Sequence, residues 1–349
     1  MNKETAFEIL RSIVAVFIAL ILGFVIILFI SDEPIDTIYS FIFGPLQSFR
    51  HIGNVIEMAI PLIFAGLAAS VVFQANLFNL GAEGIFYFSG VMAAIVGVFF
   101  TLPKGIHPFV AILIAGVVGG LINFVPGYLK AKWNASELVT SLMFNNILFG
   151  IGLYIVNYFL RDPFALATVS YKFKPTAKLS VLIPGTRIHS GIILVIFAVI
   201  FTYYFLYKTK WGYALRMTGL NRNFADYSGI DSFKVIIYSH VIAGVLAGIG
   251  GGTEILGMYN RFQWQSLPGY GFDGTLVAML ARNNPIGVVG AALFLAYIRT
   301  GADMMARMTD VPSEMVAIIQ AIIILLISAE RFLKPLKQKM ILKEAKKYV

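Results

Sequence analysis

Runs of about twenty apolar residues recur along most of this 349-residue chain, and no other feature limits its possible folds so strongly. Crossing about 30 Å of hydrocarbon takes roughly 20 helical residues. Clear runs of that size occupy residues 12–30, 55–73, 81–100, 108–128, 138–160, 188–207, 235–257 and 313–329. Between 271 and 300 the apolar pattern breaks at ARNNP, which predicts a short crossing over 271–281 and another over 285–300. About ten crossings are expected in total. Hydrocarbon leaves open backbone groups unpaired, so crossing segments are helices or closed barrels, and the ten-residue alternation of a barrel strand does not recur. The expected fold is all-α, a polytopic helical membrane protein forming one transmembrane domain over 1–349.

Composition agrees: 58% of residues are hydrophobic, 13% are charged, and mean hydropathy is +0.82. The first run is too long for the core of a signal peptide and lacks a small-residue cleavage site, so it is expected to stay as a membrane helix. Cysteine is absent, which excludes a disulfide framework and a thiolate nucleophile. The net charge of +9 is no nucleic-acid signature, because residues 330–349 hold seven Lys or Arg against Glu330 and Glu344. A basic tail directly after a span marks the cytoplasmic side. With an even number of crossings both termini are then cytoplasmic, the acidic DEPID at 32–36 is external, and Lys130, Lys132 and residues 208–234 are internal. The 161–187 loop is placed outside despite carrying Arg161, Lys172, Lys174, Lys178 and Arg187.

One polar stretch, MTGLNRNFADYSGID at 217–231, separates two greasy runs. Asn221 or Asn223 suits an N-cap, RNFADYS makes two helical turns, and Gly229 suits the left-handed residue that ends them. Phe224, Tyr227 and Ile230 are spaced three apart and share a face, flanked by Arg222 and Asp226. So short a helix is not stable alone in water, so it packs on something else. That partner is either its own membrane domain or a cytoplasmic protein for which it forms a docking knob.

The segment GYALRMTGLNRNFADYSGIDSFK (212–234) resembles the cytoplasmic coupling segment of ABC import permeases for simple sugars, nucleosides and branched-chain amino acids. NLFNLGAEG (76–84), PGYLKAKWNASELVTSLMFNNI (126–147) and GYGFDGTLVAMLARNNPIGV (269–288) look the same way, and the pattern is most similar to nucleoside importers. Ile85 and Ser136 depart from it, standing where a glutamine and an asparagine are expected. The resemblance implies an ABC importer permease fold with short half-helices, in a bacterial plasma membrane. It implies that Asn221, Arg222, Asn223, Phe224, Asp226, Tyr227 and Gly229 form a coupling element seated in a cleft of a separate ATPase. ATP and Mg are then used by that partner, and no cofactor binds this chain. A second permease, usually a different chain, and an external substrate-binding protein complete the assembly.

A polar solute needs hydrogen-bonding walls at membrane depth, where unpaired polar groups cost several kcal/mol. Ionisable residues in or beside the spans are Glu57, Glu83, Glu137, His240, Glu254, Asp273 and Glu314, each a functional candidate by position. Glu83 lies in NLGAEG, where Asn79 suits the cap of a helix that starts inside the membrane. Gly271, Asp273 and Gly274 repeat the spacing of Gly81, Glu83 and Gly84, which under this topology places the two motifs at opposite faces, as in an inverted repeat. Of the neighbours Asn145 and Asn146, at least one points into the bundle, to a helix or to solute. Phe86 offers a ring for stacking, against the plainer reading of packing. Arg282, Asn283 and Asn284 interrupt an apolar region and line water, protein or an interface. The candidate path is thus Asn79, Glu83, Phe86, Asn145, Asn146, Asp273, Asn283 and Asn284. Gly244, Gly248 and Gly252 strip one helix face of side chains, for packing or for sliding.

No phosphate-binding loop of the G-x-x-x-x-G-K-[ST] type occurs, so ATP is hydrolysed elsewhere. Four scattered histidines without i+4 partners give no metal site, and no nucleophile elbow marks a catalytic centre. The leading reading is an ATP-driven importer subunit carrying nucleosides, or alternatively a simple sugar such as ribose. A proton-coupled carrier using Glu83 or Asp273, or an intramembrane enzyme acting on lipid, leaves the coupling-like helix without a role.

Overall fold

The computed structural model describes residues 31–311 and 20–29, with 14, 17, 18, 318, 321 and 322 beyond them. The span expected at 313–329, Glu314, the basic tail at 330–349 and the start of the 12–30 span lie outside the described residues, apart from those few positions. The regular structure of the described residues is helical, with two isolated β-bridges and no strand among them.

Among the described residues, seven helices are long and apolar enough to cross a membrane. They are α3 (Phe49–Gln74), α4 (Ala82–Phe99), α5 (Ile106–Trp133), α6 (Glu137–Ile155, continued by a wider turn to Leu160), α7 (Gly191–Lys208), α10 (Ser232–Met258) and α12 (Pro285–Met308). Shorter helices are α1 (Leu20–Phe29), α2 (Pro34–Phe43), α8 (Lys210–Leu220), α9 (Arg222–Tyr227) and α11 (Tyr270–Leu280). The short crossing expected at 271–281 needs correction. Eleven residues make α11 about 16 Å long, half a bilayer. The rest of that passage is the non-helical chain between Tyr259 and Gly269. A second interrupted passage runs from Ala75 through the non-helical 77–80 into α4.

The chain divides into two compact units, one of residues 1–51 and 297–349, the other of residues 52–296. In the first, the backbone of Phe41 closes on Gly301 and the Tyr297 hydroxyl donates to the Ile42 carbonyl. Asp310 accepts from the Ser31 hydroxyl at 2.7 Å and from the Asp32 N–H at 2.9 Å, tying the two stretches of this unit together.

In the second unit α5 and α10 pack side by side. Gly244 and Gly248 of α10 lie against the backbones of Gly119 and Ala115 of α5, where a Cβ would collide. The glycine face therefore serves close packing here. Burial then falls outward: the apolar stretch of α4 is 72% buried and those of α6 and α7 are 28% buried. The exposed remainder of α6 and α7 is largely apolar, including Leu138, Ile147, Ile196 and Phe197, as a lipid-facing surface requires.

The two ends of this unit are distinguishable. At one, Gly219 lies against the backbone of Gln74 and Ala75, and Lys130 pairs with Glu137 at 2.7 Å. At the other, the 161–190 loop closes over the bundle, Lys174 N–H donating to the Gly97 carbonyl at 3.0 Å and Leu179 N–H to that of Leu256 at 3.1 Å. Segments 208–234 and 161–187 thus occupy opposite ends, the arrangement expected from alternation of the spans.

Candidate functional site at the meeting of two broken crossings

The non-helical chain before α4 carries backbone groups that hydrocarbon cannot satisfy. One face of α6 supplies their partners. Glu137 accepts from Phe78 N–H at 3.4 Å, the Ser141 hydroxyl from Leu80 N–H at 3.2 Å, and Asn145 Oδ1 from Gly84 N–H at 2.8 Å. Asn145 Nδ2 also donates to the Leu80 carbonyl at 3.0 Å. The spacing i, i+4, i+8 places all three side chains on one stripe. Asn145 therefore takes the helix-packing role, while Asn146 is exposed and donates to Leu142 of its own helix at 3.2 Å.

Asn79 is buried, but it is not the cap of α4. Its Oδ1 accepts from Gly81 N–H at 2.6 Å, one residue before the helix begins. Its Nδ2 donates to Asn123 Oδ1 at 2.8 Å, and Asn123 Nδ2 donates to the His240 carbonyl at 2.7 Å. The amide chain links the non-helical segment to α5 and α10. Asn123 was not singled out from the sequence. Its apolar neighbours hid it, although a lone amide inside a span is the signal that marks it.

Glu83 is fully buried, and its two oxygens accept from Gly269 N–H at 2.5 Å and Gly271 N–H at 2.6 Å. It caps α11, the other half-helix, rather than merely favouring its own. The first N–H groups of a helix lack internal partners and carry its positive pole, so a carboxylate is well placed there. Gly271 sits against the backbone of Glu83 with no room for a Cβ. This corrects the expected placement of the two echoing motifs at opposite faces: they meet at one junction, because one motif's carboxylate satisfies the other's open N–H groups. The helices they start then diverge. α4 runs to the Leu256 end, where Gly97 meets Leu256 and Phe173. α11 runs to the Gln74 end, where Gln74 Nε2 donates to the Asn283 carbonyl at 3.1 Å.

Phe86 is fully buried with its ring 5.7 Å from that of Tyr270. Asp273 is buried in the first turn of α11. Arg282 and Asn283 turn the chain with φ of +54° and +58°, and Asn284 Oδ1 accepts from Ile286 N–H at 3.0 Å at the start of α12.

The polar stretch forms α9 as expected. Of the two asparagines offered as its cap, Asn221 takes the position and accepts from Phe224 N–H at 3.0 Å, while Asn223 lies within the helix. Gly229 ends the turn with φ of +81°. Ala225 is fully buried and seats the helix, whereas Phe224 is 54% exposed and Tyr227 is 95% exposed. Arg222 Nε donates to Ser232 Oγ at 3.2 Å and Asp226 accepts from Ser232 N–H at 3.2 Å, fixing α9 to the start of α10. Beside it lies a polar cleft of about 260 Å³ lined by Asn76, Lys130, Glu137, Thr218, Asn221 and Arg222, among others.

Residues 51–328 match the family described as the branched-chain amino acid transport system / permease component. The chain belongs to this permease family. It is a multi-pass membrane permease. Among curated relatives, the guanosine ABC transporter permease protein NupP of Bacillus subtilis is 33% identical over 89% of this chain and 92% of its own length. The glucose ABC transporter permease protein TsgB13 of Haloferax volcanii is 31% identical over 92% of this chain and 87% of its own. The nucleoside ABC transporter permease protein NupB of Lactococcus lactis is 29% identical over 95% and 93%. No solved structure matches the permease.

Proposed function

We propose that this permease forms half of the path of an ATP-binding-cassette importer for nucleosides. The observation that carries the solute class is Glu83. In transporters with discontinuous helices, half-helix N-termini commonly receive anionic substrate groups. Here Glu83 already fills the N-terminus of α11. A solute carboxylate or phosphate brought there finds those N–H donors already taken, so the path suits neutral solutes and disfavours amino acids and nucleotides. Nucleosides and sugars are neutral, and the relatives named for guanosine and nucleosides favour the first.

Transport then runs by alternating access. A separate ATPase binds ATP and Mg and closes on Phe224 and Tyr227, the two exposed rings of α9. Gly219, lying against Gln74 and Ala75, passes that movement to the chain leading to Glu83. A second permease, a different chain, completes the pore, and an external binding protein delivers solute. The termini face the bacterial cytoplasm, and no cofactor binds this chain.

The test is uptake of labelled guanosine, uridine, leucine and ribose in cells lacking the chain and in cells complemented by it. Restored nucleoside uptake that survives collapse of the proton gradient while ATP is maintained is the expected result. Restored leucine uptake without nucleosides overturns the argument from the occupied helix N-terminus, and loss with the gradient overturns ATP coupling.

A further inference from the structure

Beside the junction, the loop after α10 and the first turn of α11 bring Trp264 and Tyr270 against Phe86 and against a buried carboxyl that the path has not used. Glu254 of α10 is 2% exposed. Its Oε1 accepts from the Tyr270 hydroxyl at 2.9 Å, while its Oε2 is buried without a hydrogen-bond partner among the described residues. Glu57 of α3, also buried, is its electrostatic neighbour. The Tyr270 ring lies 5.7 Å from Phe86 and 6.4 Å from Trp264, and Trp264 lies 6.4 Å from Tyr87.

A buried acceptor without a donor is costly unless something satisfies it during function. Tyr270 immediately follows Gly269 and precedes Gly271, the two residues held by Glu83, so the acceptor sits at the start of a broken helix near mid-membrane. The open Oε2 of Glu254 accepts and so selects a ligand that donates, and the rings select one with a flat apolar face. The structure assigns Glu254 as the specificity-determining acceptor for a hydroxyl or N–H donor of a neutral, flat-faced nucleoside, with Tyr270 positioning the carboxylate and Trp264 and Phe86 offering the stacking face. This rests on the nucleoside reading above and adds to it the residue that reads the solute.

Replacing Glu254→Gln keeps the shape, but the Tyr270 hydroxyl then engages the amide oxygen and the amide N–H₂ stands where Oε2 stood. A donor now faces the solute's donor. The experiment compares initial uptake of guanosine, adenosine and 2′-deoxyguanosine in complemented cells, with the chain's membrane level measured in each. Losing a buried hydrogen bond at this depth is expected to lower guanosine uptake by about tenfold. The effect is also expected to be unequal. A changed guanosine-to-adenosine ratio assigns the contact to the base, and a changed guanosine-to-2′-deoxyguanosine ratio assigns it to the ribose. Equal losses for all three solutes, or no loss, overturn the assignment. Tyr270→Phe removes one hydroxyl and keeps the ring, so it is expected to move the same ratio the same way by a smaller factor, and it decides the matter if the Glu254 variant is absent from the membrane. A chain that restores no nucleoside uptake before substitution instead overturns the nucleoside reading, which the unsubstituted control reports separately.

Discussion

Around Glu83, buried polar atoms pair across five helices, whereas between Asn221 and Lys234 each polar side chain pairs within its own short segment or faces outward. Glu83, Asn79, Asn123, Ser141 and Asn145 spend their hydrogen-bonding capacity on backbone at the two helix breaks, on the backbone of α10 and on each other. Asn221, Arg222, Asp226 and Asp231 fix only local turns, which leaves Phe224 and Tyr227 standing free. The difference follows from solvent. In hydrocarbon an interrupted helix persists only when protein replaces every lost backbone bond. At the aqueous end water does that, and side chains are released for a partner. The junction is therefore expected to respond to substitution as a matter of stability, and the α9 segment as a matter of coupling.

The largest expected effect breaks the junction. Glu83→Ala strands the N–H groups of Gly269 and Gly271, each worth about 1–3 kcal/mol when buried and unpaired. Thermal unfolding of the purified chain in detergent is expected to fall steeply, or the chain to be absent from the membrane. Glu83→Gln keeps one acceptor and is expected to lie between. An unshifted melting temperature for Glu83→Ala means that the cap carries no stability and that the junction resembles α9 after all.

Adjacent asparagines sharpen the same contrast inside one helix. Asn145→Ala removes partners from Gly84 N–H and the Leu80 carbonyl and is expected to destabilise by about 2 kcal/mol or more. Asn146→Ala loses a bond to its own helix at an exposed position and is expected to stay within about 0.5 kcal/mol. Equal melting temperatures for the two variants contradict the stripe on α6.

At the other region the expected sign of the experiment reverses. Phe224→Ala combined with Tyr227→Ala removes two exposed rings and is expected to leave thermal stability nearly unchanged, because neither anchors the fold. Uptake is expected to fall by about tenfold or more, as for truncated aromatic anchors at an interface. Normal uptake at normal membrane levels removes α9 from the coupling role.

The long spans were legible because their signal is one-dimensional: length and apolarity alone identify α3, α5, α6, α7 and α10. The cap of α9 was legible for a similar reason, since Asn221 and its target Phe224 are three residues apart. The junction was not. Glu83 and Gly269 are separated by 186 positions, and nothing local distinguishes a carboxylate that caps its own helix from one that caps another. The same limit misplaced the two echoing motifs, whose spacing was readable while their meeting point was a tertiary fact. Tyr270 escaped notice because its value lies in Glu254, on a different helix.

The smallest expected effect tests whether the water-facing region is as locally self-sufficient as its bonds suggest. Asp231 accepts from Lys234 N–H at 3.1 Å and pairs with the Lys234 ammonium at 2.8 Å, which holds its carboxyl below the usual aspartate value. A depressed folded-state pKa contributes stability that is present above the unfolded value and is lost as pH falls through the folded one. The cap of α10 is therefore expected to loosen only below about pH 4, the ordinary aspartate range. Exposure and salt screen the pair, so the readout must be local. Amide exchange at Lys234 is expected to speed up slightly in Asp231→Ala at neutral pH, with the junction amides Gly269 and Gly271 unaffected. Faster exchange at the junction as well would mean that the segment and the buried network unfold together, and the separation between the two regions would fail at its most sensitive point.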